Sequence, residues 1–419
     1  MDTAAVGGGE PGGQGGLHGG SRSAGYGNRR SAIGARPPST TGVGGSPYPA
    51  GMVELTGAEA LTLRMTSLSL REHPGGRPPG VAGVVEWFGA MQAQDAASGL
   101  WSLGLRLPGH TEADVRAALE RREALRTWPM RGTVHLVPTR DARWMLELTG
   151  VRALAGAAAR RAVVGLTEAE ADRAADVLGA TLAGGGRLTR AQCLAALTAA
   201  GIDATGQRGY HLLWYASQRG VTCIAPHQGT EQTFALLDEW CPDPHRPERD
   251  EALGILARRY FRSHGPTTRR DFIGWTGLTA ADATRAIAVA TAAGTLTAVR
   301  VDGVESHLDP ALLDTPRLPV DDVHVLPGFD EYLLGFKDRT LMVEPAHLKA
   351  VIPGGNGVFQ STVVRGGRVV GTWKRRLART RVTVTVQPLA PLDGPTRQRV
   401  EAALEGYAHF LGLPLHLTW

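Results

Sequence analysis

One order of elements recurs three times along this chain, and it leaves few architectures open. From residue 188, LTRAQCLAALTAAG reads as a short helix closed by Gly201 and GQRGYHLLWYASQRG as a second closed by Gly220. VTCIAPHQGTEQTFALL follows as two strands turning at His227-Gln228-Gly229. Further on, EALGILARRYFRSHGP is a helix stopped by Gly265-Pro266, and TTRRDFIGWTG is a short one behind a threonine cap. LTAADATRAIAVATAAG is opened by Thr279 with Asp282 three residues on, and LTAVRVDGVESHL is a hairpin around Asp302-Gly303. The earlier block is looser. A helix is expected from Val81 to about Gln94, then the helical TEADVRAALERREALR with Thr111 and Asp114 spaced as a capping box, the strand-like TWPMRGTVHLVP, and a helix from Thr139.

Helix, turn, helix, hairpin is the layout of a winged helix. The expected fold class is therefore α+β: a tandem array of three winged-helix motifs followed by a small, mainly β C-terminal domain, whose strands alternate apolar and polar residues after Pro319. A chain of 419 residues is longer than one core usually organises. The expected division is 1–53 as a Gly-rich tail, 54–150, 151–247 and 248–318 as the three blocks, and 319–419 as the C-terminal domain. The tail has almost nothing to bury and cannot offset its ordering entropy, so it is expected to be disordered, either inert or touching DNA phosphates through Arg22, Arg29, Arg30 and Arg36.

Chemistry is narrowed by what is missing. HExxH, GxSxG and GxxxxGK[ST] do not occur, so zinc proteases, elbow hydrolases and P-loop enzymes lose their simplest support. The three cysteines lie far apart with no C-x-x-C pair, which argues against a metal site and for a reducing compartment. No run approaches a membrane span or a secretory signal, so a cytoplasmic protein is expected, and a tandem array in one chain makes a monomer the default. A formal net charge of +5 permits nucleic acid as a partner without requiring it.

Within MQAQDAASGLW, Gln92 and Gln94 stand two residues apart. On a helix they would point to nearly opposite sides; on a strand or irregular turn they can converge. Either one glutamine is incidental, a structural amide at a helix end, or the backbone there is not plain helix. Asp95 reads as an electrostatic stabiliser or an N-cap. Gln207, Arg208 and His211 in the second block, with Arg269 and Arg270 in the third, have the chemistry of a DNA-reading helix, or else of solvated faces and interdomain contacts. The densest basic cluster, Lys374-Arg375-Arg376 with Arg379 and Arg381, suits phosphates. Asp330, beside Glu331, is expected to fix a turn or to pair with Arg339.

Three stretches taken together carry a specific resemblance: MQAQ with GLW (91–101), MRGTVHLV (130–137), and LPGFDEYLLGFKDR followed by VVGTWKR (326–339 and 369–375). They resemble the winged helix DNA-binding domain-containing family of bacterial DNA glycosylases, AlkZ- and YcaQ-like, over about residues 54 to 419. Gln92-Ala93-Gln94 matches the AlkZ branch's catalytic motif of glutamine, hydrophobic residue, glutamine, with Ala93 smaller than the usual middle residue.

The resemblance implies a DNA glycosylase without cofactor or metal, acting on double-stranded DNA with alkylated bases, cationic N7-alkylguanines above all, and including crosslinks. Gln92 and Gln94 would be catalytic. By alternation with Gly132, Val134 and Leu136 in MRGTVHLV, Arg131, Thr133 and His135 share the polar face of a strand, which is expected to line the cleft with Arg131 on a phosphate and His135 near the lesion; the alternative for His135 is a hydrogen-bonded core histidine. The competing class is a non-catalytic winged-helix DNA-binding protein, a regulator or a DNA-shielding factor.

Overall fold

The computed structural model describes residues 52–317, 321–355 and 357–419. The tail up to residue 51 lies outside the described residues. Val53, expected in the tail, opens the strand Val53–Leu55, which pairs in parallel with Thr297–Val301 of the third block.

The element order is regular. In the second block the helix Glu168–Leu182 is followed by the strand Arg187–Thr189, the helices Arg190–Ala199 and Gly206–Gln218, and the hairpin Thr222–Gln228 with Glu231–Leu236. The short first strand pairs antiparallel with the second arm of the hairpin. The third block repeats this with Arg249–His264, a single bridge from Thr267 to His307, the helices Arg269–Thr276 and Ala280–Ala292, and the hairpin Thr297–Val301 with Val304–Leu308. The first block does so again. Its helix Gly80–Phe88 leads into the strand Met91–Gln92, the helices Ala96–Gly104 and Glu112–Glu120, and the hairpin Ala124–Thr127 with His135–Pro138; Met91–Gln92 lies on His135–Pro138.

Local chemistry explains the helix starts. Thr111, Thr189 and Thr268 form capping boxes with Asp114, Gln192 and Asp271, and Thr279 accepts from the Asp282 amide.

The blocks are not separate beads. The hairpins of the first two merge into one six-stranded sheet through Arg126 opposite Ile224. The helix Gly57–Ser67, at the start of the expected first block, sends Ala60 and Leu63 into a core with Val299, Val301 and Leu308 of the third. After residue 320 comes the expected β domain, a five-stranded sheet ordered Val323–Leu326, Ser361–Arg365, Arg368–Ala378, Arg381–Pro388, Leu415–Thr418, with the helix Gly394–Leu411 docked on it. Tyr407 and Phe410 of that helix pack on Trp101, tying the C-terminal domain to the first block.

Candidate active site

The helix expected to run to Gln94 stops at Phe88. Gly89 takes φ +77, and a Cβ there would stand 3.0 Å from the Arg259 side chain, so the turn is reserved for glycine. The chain then extends, and Gln92 falls opposite His135 across the ladder, on the same face of the sheet. Asp95 is the N-cap of the next helix, its carboxylate accepting from the Ser98 amide at 2.6 Å. Of the two readings open for the glutamines, the backbone is therefore strand and turn.

Both glutamines fold back on this turn. The Gln94 amide N–H donates to Gln92 Oε1 at 3.1 Å, and the Val134 N–H donates to Gln94 Oε1 at 3.1 Å, while the Ala93 N–H donates to the Val134 carbonyl at 2.9 Å. Each side-chain oxygen uses one lone pair and keeps a second, and among the described residues neither side-chain NH₂ group is hydrogen-bonded. Gln94 is exposed and Gln92 half-buried.

Beneath Gln92 lies a carboxylate that the sequence did not connect to it. Glu331, 1% exposed, accepts the Gln92 backbone N–H at 2.7 Å and the Trp275 indole N–H at 2.9 Å, with His264 Nε2 at 3.4 Å. Burial pushes its pKa up, but the hydrogen bond and charge of His264 and the nearby His135 outweigh this and hold it below the usual carboxylate range. The site thus keeps a buried negative charge directly under the motif. Glu331→Gln is expected to destabilise the fold by about 2–3 kcal/mol, because an NH₂ then faces donors. Urea denaturation checks this, and an unchanged midpoint would show that Glu331 is not the anchor of Gln92.

His135 is fully buried. Its Nδ1 lies 2.8 Å from the Thr133 carbonyl, so Nδ1 carries the proton and Nε2 is left without a partner among the described residues. Burial, with help from Arg131 and against Glu331, lowers its pKa to about 4.

Arg131 and Thr133 depart from the expected strand face, since the strand begins only at His135. Arg131 has φ +55 and Gly132 φ +72, and this turn swings the guanidinium onto the Gly274 carbonyl at 2.7 Å and the Trp275 carbonyl at the end of a third-block helix. Even so, Arg131 and Thr133 line one cavity of about 950 Å³ with Gln92. Its other walls bring Trp275, Phe329 and Phe359 together with the cations Lys337, Arg339 and Lys349; Asp271 is the carboxylate present. Phe329 holds φ +64, an uncommon conformation for a bulky side chain, fixed between Gly328, whose N–H reaches Ser361 Oγ, and the anchored Asp330.

Asp330 pairs with Arg106 rather than with Arg339. Arg106 Nη1 and Nη2 each reach the carboxylate at 2.9 Å, Ser102 Oγ donates at 2.5 Å, and Asp330 caps the Tyr332 N–H at 2.9 Å. Arg339 instead donates to the Leu333 carbonyl at 2.7 Å and sits 5.1 Å over the Phe359 ring.

The expected DNA-reading helix of the second block is partly occupied by internal contacts. Arg208 is held by Glu170 and Asp203 and by the Val164 and Gly165 carbonyls, His211 is buried with its pKa lowered to about 4 by burial and then Arg161 and Arg160, and Gln207 accepts from Arg160. Arg269 donates to Thr284 Oγ1 at 2.8 Å. In the C-terminal sheet the strand alternation divides the basic cluster: Lys374 and Arg376 are exposed on one face, while Arg375 turns to the Tyr407 hydroxyl on the other. Arg379 and Arg381 are exposed at the hairpin end. Among the described residues no group of three His, Cys, Asp or Glu is arranged to hold a metal, and no helix is long and apolar enough to cross a membrane.

Known proteins place this geometry. The structure is similar to that of the Streptomyces sahachiroi DNA glycosylase AlkZ with a TM-score of 0.69, covering 87% of this chain and 100% of that one at 24% identity, a likeness of fold. The sequence is 28% identical over 308 residues to a Streptomyces sahachiroi protein described as an interstrand DNA cross-link repair glycosylase, spanning 71% of this chain and 82% of the relative. The family model for "DNA glycosylase AlkZ-like" matches residues 85–410, from the helix before the glutamine turn to the last helix of the C-terminal domain. This chain belongs to the AlkZ-like DNA glycosylase family.

Proposed function

We propose that this chain is a monofunctional DNA glycosylase of base excision repair that hydrolyses the N-glycosidic bond of cationic alkylpurines of the N7-alkylguanine type in duplex DNA. We read its three repeated blocks as winged helices cradling the duplex, and Gln92 and Gln94 as the groups that place the attacking water.

The observation that carries the reading is the pair of glutamine oxygens folded back on one turn, each with a lone pair to spare, beside a cavity rimmed by cations. A glutamine amide is neutral and barely basic, so it cannot abstract a proton strongly. For a cationic base this is enough. The C1′–N9 bond breaks with its electron pair going to the base, which leaves neutral, and the sugar becomes oxocarbenium-like. A water aligned by the glutamine oxygens adds at C1′ and releases its proton to solvent. The buried Glu331 carboxylate behind Gln92 favours positive charge developing on the sugar, and Arg131, Lys337 and Lys349 suit the flanking phosphates. The name of the Streptomyces sahachiroi relative extends the reading to crosslinks, and a cavity of about 950 Å³ leaves room for a bulky adduct.

The test is release of 7-methylguanine from a labelled duplex. Wild type should leave an intact backbone carrying an alkali-labile abasic site, and Gln92→Ala/Gln94→Ala should slow release by about 10²–10³-fold. Equal release by both proteins would remove the glutamines from the mechanism. Strand cleavage without alkali would end the monofunctional reading, and DNA binding with no release by either would favour a non-catalytic binding protein.

A further inference from the structure

A second cavity, of about 130 Å³, lies on the opposite face of the six-stranded sheet from Gln92 and His135, between the helix Glu112–Glu120 of the first block and the hairpin turn of the second. Its walls are largely apolar, Ala93 and Leu136 among them, and its polar side chains are Arg116, Arg126, His227 and Glu120. Arg126 extends into it from the central strand. That side chain belongs to a residue only 8% exposed and has no carboxylate within ion-pair reach among the described residues; its contact is His227 Nδ1, 3.3 Å from Nη2. A guanidinium only donates, so His227 Nδ1 accepts and the ring's proton sits on Nε2. Arg116 stands at the solvent side of the cavity, paired through Nε and Nη2 with Glu112 Oε1 at 2.7 and 2.5 Å, so Nη1 is the donor left over. The one carboxylate in the lining, Glu120, is bound by Arg187 through both oxygens at 2.8 and 3.0 Å.

A buried charge without a counter-charge is costly to keep, and removing its partner from a buried pair is among the more destabilising changes a protein tolerates. The cost is offset if an anion completes the pair. Donors converge from three elements: the strand of Arg126, the helix of Arg116 and the hairpin turn of His227. Donors from several directions suit a tetrahedral oxyanion, whereas a planar carboxylate would be satisfied by a single guanidinium fork. The small side chain of Ala93 contributes to the space, since a longer residue there would reach into the cavity.

We propose that this cavity is a phosphate-binding site, in which Arg126, Arg116 and His227 hold a phosphate group, either free or belonging to a nucleic-acid backbone. The surroundings of His227 agree with this: burial and then Arg126, Arg116 and Arg187 lower its pKa to about 4, which is the field an anion would relieve.

Two measurements on the full chain separate the sources. The first is the thermal midpoint in inorganic phosphate against chloride at matched ionic strength, for wild type, Arg126→Gln and the surface-facing Arg116→Gln. The second is the salt dependence of binding to an undamaged duplex for the same three proteins. A free-phosphate site predicts a rise of about 1–2 °C in wild type that both variants lose. A backbone site predicts that each variant lowers the slope of log K against log salt by about 0.9. If Arg126→Gln fails to fold, Arg116→Gln decides alone. Variants that match wild type in both measurements overturn the proposal, as does a wild type that neither responds to phosphate nor binds DNA. A wild type that responds to phosphate but does not bind DNA keeps the pocket and removes the glycosylase reading instead.

Discussion

Asp330→Ala should lower the stability of this protein by about 3–5 kcal/mol, the cost of stranding a buried charge. Arg106 is fully buried and Asp330 3% exposed, and the guanidinium joins the carboxylate by two parallel bonds of 2.9 Å. Arg106 also donates to the Leu68 and Ser102 carbonyls at 2.9 and 2.8 Å and lies 4.9 Å over Phe88, so it has nowhere to turn once its partner is gone. The substitution removes the cap on Tyr332 as well, and Asp330 sits between Phe329 and Glu331, the neighbours that face the cavity and hold Gln92. Both the urea midpoint and base release should therefore fall. Replacing the pair together, as Arg106→Met with Asp330→Leu, should recover a good part of the stability, because no charge is left unpaired. An Asp330→Ala protein as stable as wild type would show that the pair does not join the first block to the C-terminal domain.

Acid should destabilise the protein well before its carboxylates titrate. His135, His211, His227 and His324 all have pKa values lowered to about 4, chiefly by burial. In the unfolded chain each titrates near its ordinary value of about 6.5. Between these two values the unfolded state binds more protons than the folded one, so stability is fully present above about 6.5, falls as pH drops from there toward 4, and loses nothing further from these groups below 4. For the fully buried His135 alone the loss at pH 4 is roughly 3 kcal/mol. Asp330 and Glu331 have the opposite sense of charge: burial raises their pKa, but Arg106 and the Ser102 hydroxyl hold Asp330, and interactions with His264, His135 and the Gln92 N–H hold Glu331, below the carboxylate norm, so they stabilise above the unfolded values and lose that contribution as pH falls through the folded ones. The expected profile of thermal midpoint against pH is flat from 8 to 7 and steep from 6.5 down to 4. His324→Gln should flatten part of the upper slope, and a midpoint unchanged between pH 7 and 4.5 would refute the assignment.

What the sequence made legible was local. Threonine caps with their acidic or amide partners, glycines closing helices and the Asp302-Gly303 turn place the second and third blocks to within a few residues, because each signal acts over one helical turn or one hairpin. The first block departs from its sequence pattern where one residue breaks it. Gly89 interrupts an apolar run that otherwise reads as helix through Gln94, and its left-handed turn converts the following residues to strand. Alternation alone places Arg131 on a strand face and does not reveal that its own φ is positive.

The long-range partners left no periodic trace. Nothing in the spacing of Glu331 relative to Gln92, of Arg106 relative to Asp330, or of Arg208 relative to Glu170 announces that they meet. The spacing of Gln92 and Gln94 is visible in the sequence, their catalytic role is what the family likeness implies, and the structure adds the buried acid beneath them.

The strand Val53–Leu55 bears on the order in which this protein can be made. It lies on Thr297–Val301, and just after it the Gly57 N–H donates to Asp302 Oδ1 across 245 positions of sequence. A nascent chain emerges from its amino end, so this strand has to wait with its backbone groups unpaired until the third hairpin has been synthesised. The first of the described strands to leave the ribosome is thus among the last to find its partner, and the third block cannot finish its sheet without it.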